Sequence, residues 1–230
     1  QSAFQLFNQT SGGWPLTMFL DENGVPFMGG TYFPKNFQHG LPAFQTVITK
    51  VNEAYKENRE NIISQKDLIV KNLELKKTAV LNQDLESLLE LSINKLDSNL
   101  GGFKGAPKFP TFNLFEALLY FYNKTKNEKY LKPVTLILKQ LCSKGIYDHV
   151  EGGLSRYTVD ENWIIPHFEK MLYDNTQFIL LLSKYCKIKP NDYFKHKLEQ
   201  TIEFLIKDFT VNQSGLMGSA YDADSDGEEG

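Results

Sequence analysis

The feature that most constrains the fold is the helical spacing of apolar residues after residue 80, which glycine-rich loops interrupt. Apolar side chains recur there at intervals of three and four, as in amphipathic helices. The spacing predicts five helices, over residues 85–96, 112–122, 130–141, 171–187 and 193–209. Asn82 or Asp84 is expected to cap the first helix, because both side chains accept hydrogen bonds from free helical N–H groups.

Short glycine steps recur in the loops between these helices. They stand at Gly101-Gly102, Gly152-Gly153 and Gly215-Leu216, and each interval holds two predicted helices. Helix pairs that repeat in this way predict a helical solenoid or a toroid. Three weak repeats do not choose between an open array and a closed ring.

The first part of the chain follows a different pattern. Two apolar runs, Pro15–Asp21 and Val25–Phe33, are joined by an Asn-Gly step, which predicts a β-hairpin. Gly29-Gly30 in the second run predicts a bulge or a close backbone approach. Trp14-Pro15, just before the first run, is a candidate cis peptide, since cis bonds are almost confined to X-Pro steps.

A long polar helix is expected to follow from Leu41, broken at most once, as a connector between two bodies. Lys76–Thr78 is the predicted boundary, so that one domain covers residues 1–77 and the other covers residues 78–230.

Charge and composition exclude several classes of protein. The chain has 25 basic and 28 acidic residues, so no basic excess can neutralise nucleic-acid phosphates. Its longest apolar run, Phe178–Leu182, is far shorter than the roughly 20 residues of a membrane span. Two cysteines, Cys142 and Cys186, exclude a disulfide framework, and both are predicted to be buried structural thiols. We therefore expect no nucleic-acid partner, no membrane, no metal and no cofactor.

Polar and aromatic side chains concentrate in the segment from Tyr147 to Asp174. Carboxylates beside aromatic rings suit a saccharide site, because acids move protons and flat rings stack on pyranose rings. A solvated loop whose charges cap helix ends has the same composition, so that alternative stays open. The predicted proton-transfer residues are His167, Glu169, Asp174, Asp148, Asp222 and Asp224. The predicted substrate-binding residues are Arg156, Tyr157, Trp163 and Glu151.

Specific roles follow from residue types. His167 is expected to accept or donate the proton, with Glu169 or Asp174 orienting it, and Trp163 and Tyr157 are expected to stack on the sugar. If this site is correct, His167, Glu169 and Asp222 should face one cavity.

The acidic segment near residue 225 admits a second interpretation. Asp222, Asp224 and Asp226, followed by Gly227, match the first half of a calcium loop. The preceding residues do not have a helical pattern, so an EF-hand is not expected.

Four segments together resemble a known family. They are SGGWPLTMFLDENGVPFMGGTYFP, GGFKGAPKFP, GGLSRYTVDENWIIPHFEKMLYDN and SAYDADSDGEEG, in this order along the chain. The sequence resembles the YyaL group, the relatives of spermatogenesis-associated protein 20, over nearly its whole length. The resemblance implies a mainly α chain, in which a partial (α/α)6 toroid follows the C-terminal half of an α/β thioredoxin-like domain. The toroid is similar to six-hairpin glycosidases and N-acylglucosamine 2-epimerases.

The resemblance carries further expectations. Trp14-Pro15 matches the thioredoxin-like cis-proline position. The family carries a C-x-x-C-type motif upstream of this segment, so the chain is expected to be a piece of a longer protein. It is also expected to be inactive when isolated, because the toroid is incomplete. Few cysteines and a thioredoxin-like parent favour the cytoplasm.

Three functional hypotheses remain open at this point. The first is a carbohydrate-active protein, an epimerase or a hydrolase, with a sugar or glycan ligand. The second is a thiol-redox or folding-assistance protein whose toroid binds a protein partner. The third is a module that binds a protein or a glycan without chemistry.

Overall fold

The computed structural model describes residues 4–5, 13–64, 70–71, 84–211, 215–226 and 228–229. Contacts divide the chain into two compact units, residues 1–81 and residues 82–230. The predicted boundary at Lys76–Thr78 and the alternative cap Asn82 lie outside the described residues. None of the described helices has both the length and the apolar character that a membrane crossing needs.

The first unit contains the predicted β-hairpin. Its antiparallel strands are β1 (Thr17–Leu20) and β2 (Pro26–Gly30). The Asp21 carboxylate closes the turn by accepting from the backbone N–H groups of Asn23 and Val25, at 2.9 and 2.8 Å. Gly24 has φ 77° there, a conformation that glycine adopts without a steric penalty. The Asn-Gly signal therefore predicted both the turn and its position.

A bulge interrupts the hairpin in the second strand. Phe19 pairs with Met28 whereas Leu20 pairs with Pro26, so Phe27 is the extra residue. The bulge thus lies just before Gly29-Gly30 rather than within it. The Trp14–Pro15 bond is cis, as predicted.

Two helices follow the hairpin, α1 (Phe44–Glu57) and α2 (Arg59–Ser64). The predicted single break falls at Asn58, and most of the predicted helix beyond Ser64 lies outside the described residues. Glu22 in the hairpin turn accepts hydrogen bonds from the Tyr55 hydroxyl and the Arg59 guanidinium. This contact ties the hairpin to both helices.

The second unit is mainly helical. Its helices are α3 (Leu85–Lys95), α4 (Phe112–Thr125), α5 (Glu128–Ser143), α6 (Leu172–Ile188) and α7 (Asp192–Phe204). Asp84 caps α3 by accepting from the Ser87 N–H at 2.7 Å, which confirms one of the two predicted caps. Short connections join α4 to α5 and α6 to α7, so both form the helix pairs that the sequence predicted. The predicted fifth helix changes to a π-helical turn over Leu205–Phe209.

Short strands complete this unit. They are β3 (Lys170–Met171), β4 (Thr210–Val211), β5 (Leu216–Met217), β6 (Ala220–Tyr221), β7 (Asp224–Ser225) and β8 (Glu228–Glu229). They pair as antiparallel ribbons, β3 with β6, β4 with β5 and β7 with β8.

One apolar core lies between the helices of the second unit. Its fully buried members come from α4, α5 and α6 and include Phe115, Leu118, Val134, Leu138, Phe178 and Leu181. Burial of one such side chain contributes about 1.5–3 kcal/mol, so these helices are held together by packing rather than by helix propensity. Phe204, Leu205 and Phe209 form a smaller cluster under the π-helical turn.

Two loops of this unit have the same backbone. In the first loop (Asp97–Phe103), Asp97 and Gly102 are joined by a backbone hydrogen bond, and the Asp97 carboxylate accepts from two following N–H groups. In the second loop (Asp148–Leu154), Asp148 and Gly153 repeat the arrangement. All four glycines of the two loops have positive φ. The predicted repeat is therefore a repeat of structure at these two positions, whereas Gly215 precedes a two-residue strand.

Candidate functional site

Two of the segments that the sequence singled out meet in one ribbon. Lys170 of β3 pairs with Tyr221 of β6, and the Leu172 N–H donates to the Ser219 carbonyl at 2.9 Å. The ribbon brings the acidic segment to the edge of the segment that carries His167. An antiparallel ladder of this kind fixes which side chains share a face.

The ribbon borders an open cavity of about 400 Å³, which we name the Phe168 cavity. Its volume is within the range of small-molecule sites. Phe168 and Tyr221 expose 49% and 44% of their surface, so both aromatic side chains are accessible at the cavity. The cavity is lined by Glu151, Phe168, Lys170, Phe204, Lys207, Asp208, Tyr221 and Asp222.

Both lysines of the cavity are already paired. The Lys170 ammonium donates to Asp148 at 2.6 Å and to the Gly152 carbonyl at 3.1 Å, and it lies 4.4 Å from the centre of the Phe204 ring. The Lys207 ammonium donates to Glu151 at 2.8 Å. These pairs neutralise the two cations of the lining.

Asp208 and Asp222 are the remaining carboxylates. Oδ2 of Asp208 is buried and has no hydrogen-bond partner, and the Lys207 ammonium is 4.0 Å from it. Within the part of the chain that the structure describes, Asp222 forms no ion pair and accepts only the Asp224 N–H, at 3.4 Å. Asp222 therefore retains acceptor capacity toward the cavity, whereas the Asp208 side chain is 25% exposed and its Oδ2 is covered by protein.

The position of Asp208 depends on the π-helical turn. An i→i+5 turn shifts the register of the helix end, and such turns are frequent at functional sites. The Tyr221 hydroxyl donates to the Asp208 carbonyl at 2.9 Å, and the Tyr221 ring packs edge-on against Phe209. The turn and β6 thus hold one aromatic face and one carboxylate beside each other.

Among the cavities of the described part of the chain, none is lined by His167, Glu169 and Asp222 together. Asp222 lines the Phe168 cavity, but the neighbours of His167 and Glu169, Phe168 and Lys170, line it in their place. Alternate residues of an extended segment point to opposite faces, so a one-residue offset removes both predicted groups from the cavity. The described residues therefore give no support for a common cavity of these three residues, and their proton-transfer roles stay a prediction.

His167 and Glu169 also have different surroundings from each other. The His167 ring stacks on Tyr157 with 4.8 Å between centroids, and Tyr157 packs on Phe109. Glu169 accepts from the Arg156 guanidinium at 2.8 Å. Glu169 is therefore paired with Arg156, whereas the sequence predicted that it orients His167.

Asp174 lies close to the Arg156–Glu169 pair but has little exposed surface. Its side chain is 8% exposed, and its Oδ2 has no hydrogen-bond partner. Burial raises the pKa of Asp174 to about 6, the Arg156 charge opposes the rise, and the Glu169 charge adds to it. A substrate cannot reach a carboxyl that is covered in this way, so we place Asp174 outside the candidate site.

Three other predicted residues require correction or relocation. Trp163 is fully buried, and its indole N–H donates to the Leu100 carbonyl at 2.8 Å, so its ring has no face for a sugar. Asp148 shapes the second loop, and the Lys170 ammonium holds its pKa below the usual range although burial works against this effect. Asp224 is exposed on β7 and is not part of the cavity lining.

The sequence prediction did not include the residues that line the Phe168 cavity together with Glu151 and Asp222. Phe168 and Lys170 are the direct neighbours of the predicted residues His167 and Glu169. Lys207 and Asp208 lie in the segment for which the apolar spacing predicts the end of an ordinary helix. The signal that could have found them is the alternation of Phe168 and Lys170 beside the predicted residues.

No other chemistry is favoured by the described residues. Among them, no three His, Cys, Asp or Glu side chains are arranged to hold a metal ion. Cys142 is fully buried and Cys186 partly buried, both are free, and burial raises the pKa of each thiol. Gly227 of the calcium-like segment lies outside the described residues.

Comparisons with known sequences confirm the family resemblance. Residues 1–74 match the family model Thioredox_DsbH, described as a protein of unknown function, DUF255. The uncharacterized protein B0495.5 of Caenorhabditis elegans is 33% identical over 97% of this chain, and human spermatogenesis-associated protein 20 is 31% identical over 96%. The chain spans 32% and 30% of these two relatives, about a third of their length.

Solved structures with a similar fold are cellobiose 2-epimerases. The enzyme from Spirochaeta thermophila aligns over 58% of this chain and 36% of its own, with a TM-score of 0.52 and 19% identity. The enzyme from Bacillus thermoamylovorans aligns over 60% of this chain and 42% of its own, with a TM-score of 0.51 and 16% identity. At such identity the likeness shows the fold alone, which is that of an α/α toroid.

Proposed function

We propose that the second unit is carbohydrate-active, binding a saccharide in the Phe168 cavity and transferring a proton through Asp222 and Asp208. The observation that carries the proposal is the lining of this cavity, where two exposed aromatic side chains stand beside two carboxylates, of which Asp222 retains acceptor capacity. Aromatic faces and acids together are what saccharide chemistry requires. The toroid fold that the unit shares with cellobiose 2-epimerases supports the same class.

Epimerisation is the reaction that we propose to test first. A base takes a proton from carbon and an acid returns one on the opposite face, so no co-reactant is consumed. Asp222 is exposed and can reach a ligand, whereas Asp208 is anchored by the π-helical turn. Two carboxyl groups in different surroundings can divide the roles of acid and base between them.

The test uses cellobiose and the full-length gene product that carries this sequence, with epimer formation followed by NMR. Removal of a general acid or base costs about 100-fold or more in rate, so we expect Asp222→Asn to lower kcat by that factor. Glu161→Gln is the matched control, because Glu161 is exposed in the same unit and outside the cavity lining. If the unaltered protein neither binds cellobiose nor converts it, the proposal is contradicted.

The family match favours a second candidate, a thiol-redox or folding-assistance role with the toroid as a binding module for a protein partner. The chain's two thiols are poor nucleophiles, since burial disfavours the thiolate of both Cys142 and Cys186. An insulin-reduction assay of the gene product tests this role. If it is correct, activity is present and a Cys142→Ser, Cys186→Ser double variant retains it.

A further inference from the structure

The charge balance of the Phe168 cavity points to a particular class of ligand. Its two lysines are bound to Asp148 and Glu151, so neither presents a free cation to a ligand. Within the described part of the chain, Asp222 has no such partner, and Asp208 has only the Lys207 ammonium at 4.0 Å, which Glu151 binds more closely. The charge that remains uncompensated at the cavity is therefore negative.

The hydrogen-bonding groups of the cavity also favour ligands that carry donors. A carboxylate only accepts hydrogen bonds, so the free positions at Asp222 require donors from the ligand. Hydroxyl or ammonium groups supply donors, whereas a carboxylate or a phosphate group brings further acceptors and a like charge.

The aromatic walls restrict the ligand further. Phe168 and Tyr221 each expose nearly half of their surface, and the Tyr221 ring is fixed by its contacts with Phe209 and the Asp208 carbonyl. A fixed flat ring receives the C–H face of a pyranose without losing side-chain freedom. Linear polyols have no such face.

From these three observations, and resting on the proposed function, we infer that the Phe168 cavity selects an uncharged or amine-bearing pyranose and rejects uronates and sugar phosphates. Like-charge repulsion from Asp208 and Asp222 provides the rejection. Phe168 and Tyr221 provide the common affinity for the ring.

The inference is tested with one ring that carries different charges. Glucosamine, glucose, glucuronate and glucose 6-phosphate are titrated at low salt into the full-length gene product that carries this sequence, with binding followed by saturation-transfer NMR. Glucosamine is expected to bind at least as tightly as glucose. Glucuronate and glucose 6-phosphate are expected to bind at least about tenfold more weakly than glucose. A tenfold difference in affinity corresponds to about 1.4 kcal/mol. Because the Asp222 charge is exposed to solvent, added salt should reduce the difference.

Substitutions connect the selectivity to the named groups. An Asp208→Asn, Asp222→Asn double variant should bind glucuronate nearly as well as glucose, because the negative charge is removed and the shape is kept. Phe168→Ala should lower the affinity for all four ligands together. Tyr120 is an exposed aromatic residue on α4, and Tyr120→Ala should leave all four affinities unchanged.

The outcomes separate this inference from the proposed function. Equal binding of glucose and glucuronate, or a preference that survives in the double variant, overturns the inference and leaves saccharide binding intact. Lack of binding by every ligand overturns both. Selective binding without turnover of any saccharide supports the inference and contradicts the proposed chemistry.

Discussion

The first and second loops of the helical unit have the same backbone and different surroundings. Each has an aspartate whose carboxylate holds the following N–H groups, and each ends in two glycines with positive φ. Beside the first loop, Lys108 is 2% exposed, and its ammonium is 3.8 Å from Asp97 with no hydrogen-bond partner. Beside the second loop, Lys170 of β3 donates to Asp148 at 2.6 Å and borders an open cavity.

The comparison shows that a local motif does not by itself make a site. Both lysines lie near an aromatic ring, Lys108 near Trp163 and Lys170 near Phe204. Trp163 is enclosed by the core, whereas Phe204 borders the cavity formed by the π-helical turn and β6. The neighbouring elements decide whether the loop supports a ligand site or only packing.

The largest expected effect comes from the second glycine of each loop. A Cβ on Gly102 would lie 2.8 Å from the Trp163 ring, and one on Gly153 would lie 2.6 Å from the Phe204 ring, both at positive φ. Strain and overpacking together should lower the free energy of unfolding of Gly102→Ala and Gly153→Ala by about 2–4 kcal/mol. Urea unfolding, followed by Trp163 fluorescence in a Trp14→Phe background, measures the loss.

These two variants should differ in ligand binding. Gly153→Ala displaces Phe204 and should lower the affinity for glucose, whereas Gly102→Ala should leave that affinity unchanged. Gly105→Ala is the control, because no atom lies within 4 Å of its Cβ position and only the strain of positive φ remains. Equal losses of binding in Gly102→Ala and Gly153→Ala would remove the functional difference between the loops.

The next effect concerns Asp174, which borders the second loop through the neighbouring Asn175. Asn175 holds both backbone groups of Leu154. Burial raises the pKa of Asp174 to about 6, well above the ordinary pKa of an aspartate, so the folded state binds the proton more tightly than the unfolded state. Stability should therefore fall as pH rises from about 4 to about 6, by an amount on the order of 3 kcal/mol. Asp174→Asn should remove this slope in unfolding curves at pH 4, 5, 6 and 7. If the slope is unchanged in Asp174→Asn, the pH dependence arises from other groups and the prediction fails.

Replacement of the two lysines by methionine should give effects of different sign. Lys170→Met leaves the Asp148 carboxylate without its cation and should cost about 1–3 kcal/mol. Lys108→Met removes a buried ammonium that has no hydrogen bond, so it should be neutral or stabilising. Denaturant unfolding at pH 7 compares them, and a similar loss in both variants would show that Lys108 is as well satisfied as Lys170.

The Lys108 variant also has a pH signature. Burial lowers the pKa of Lys108, so the unfolded chain holds the proton more tightly and the folded wild type gains stability as pH rises toward the unfolded pKa. The advantage of Lys108→Met should therefore shrink between pH 7 and pH 10.

The smallest expected effect is on the acid side. The pKa of Asp97 is lowered mainly by the backbone N–H groups of Leu100 and Asn99, and that of Asp148 by Lys170 and two backbone N–H groups against its burial. Both contributions are present above the unfolded pKa and are lost as pH falls through the folded values. Asp97→Asn and Asp148→Asn should each reduce the loss of stability below about pH 4. In a Lys170→Met background the effect of Asp148→Asn should decrease and that of Asp97→Asn should not.

Much of the fold could be predicted from the sequence because its signals are local. Asn23-Gly24 specifies the hairpin turn, and the periodic apolar residues specify the helix pairs, since each depends on residues a few positions apart. The π-helical turn at Leu205–Phe209 could not be predicted, because its apolar spacing also fits an ordinary helix. The packing of Phe204 and Phe209 against Tyr221 accompanies the change of register.

The candidate site was predictable as a region and not as a set of residues. Glu151 and Asp222 were predicted and line the cavity, whereas His167 and Glu169 were predicted and do not. Composition identifies a segment rich in suitable groups but does not tell which of two neighbouring side chains points inward. That depends on the register of β3 against β6, a pairing between residues about 50 positions apart.

The sequence by itself determined the helix pairs, the hairpin and the two aspartate-glycine loops, because backbone conformation follows from short-range sterics and hydrogen bonding. The tertiary structure alone decided that Trp163 is a core residue, that Lys108 is enclosed and Lys170 faces a cavity, and that Asp174 is covered. Burial, pairing and pKa depend on groups that distant segments bring together, and no local pattern encodes those distances.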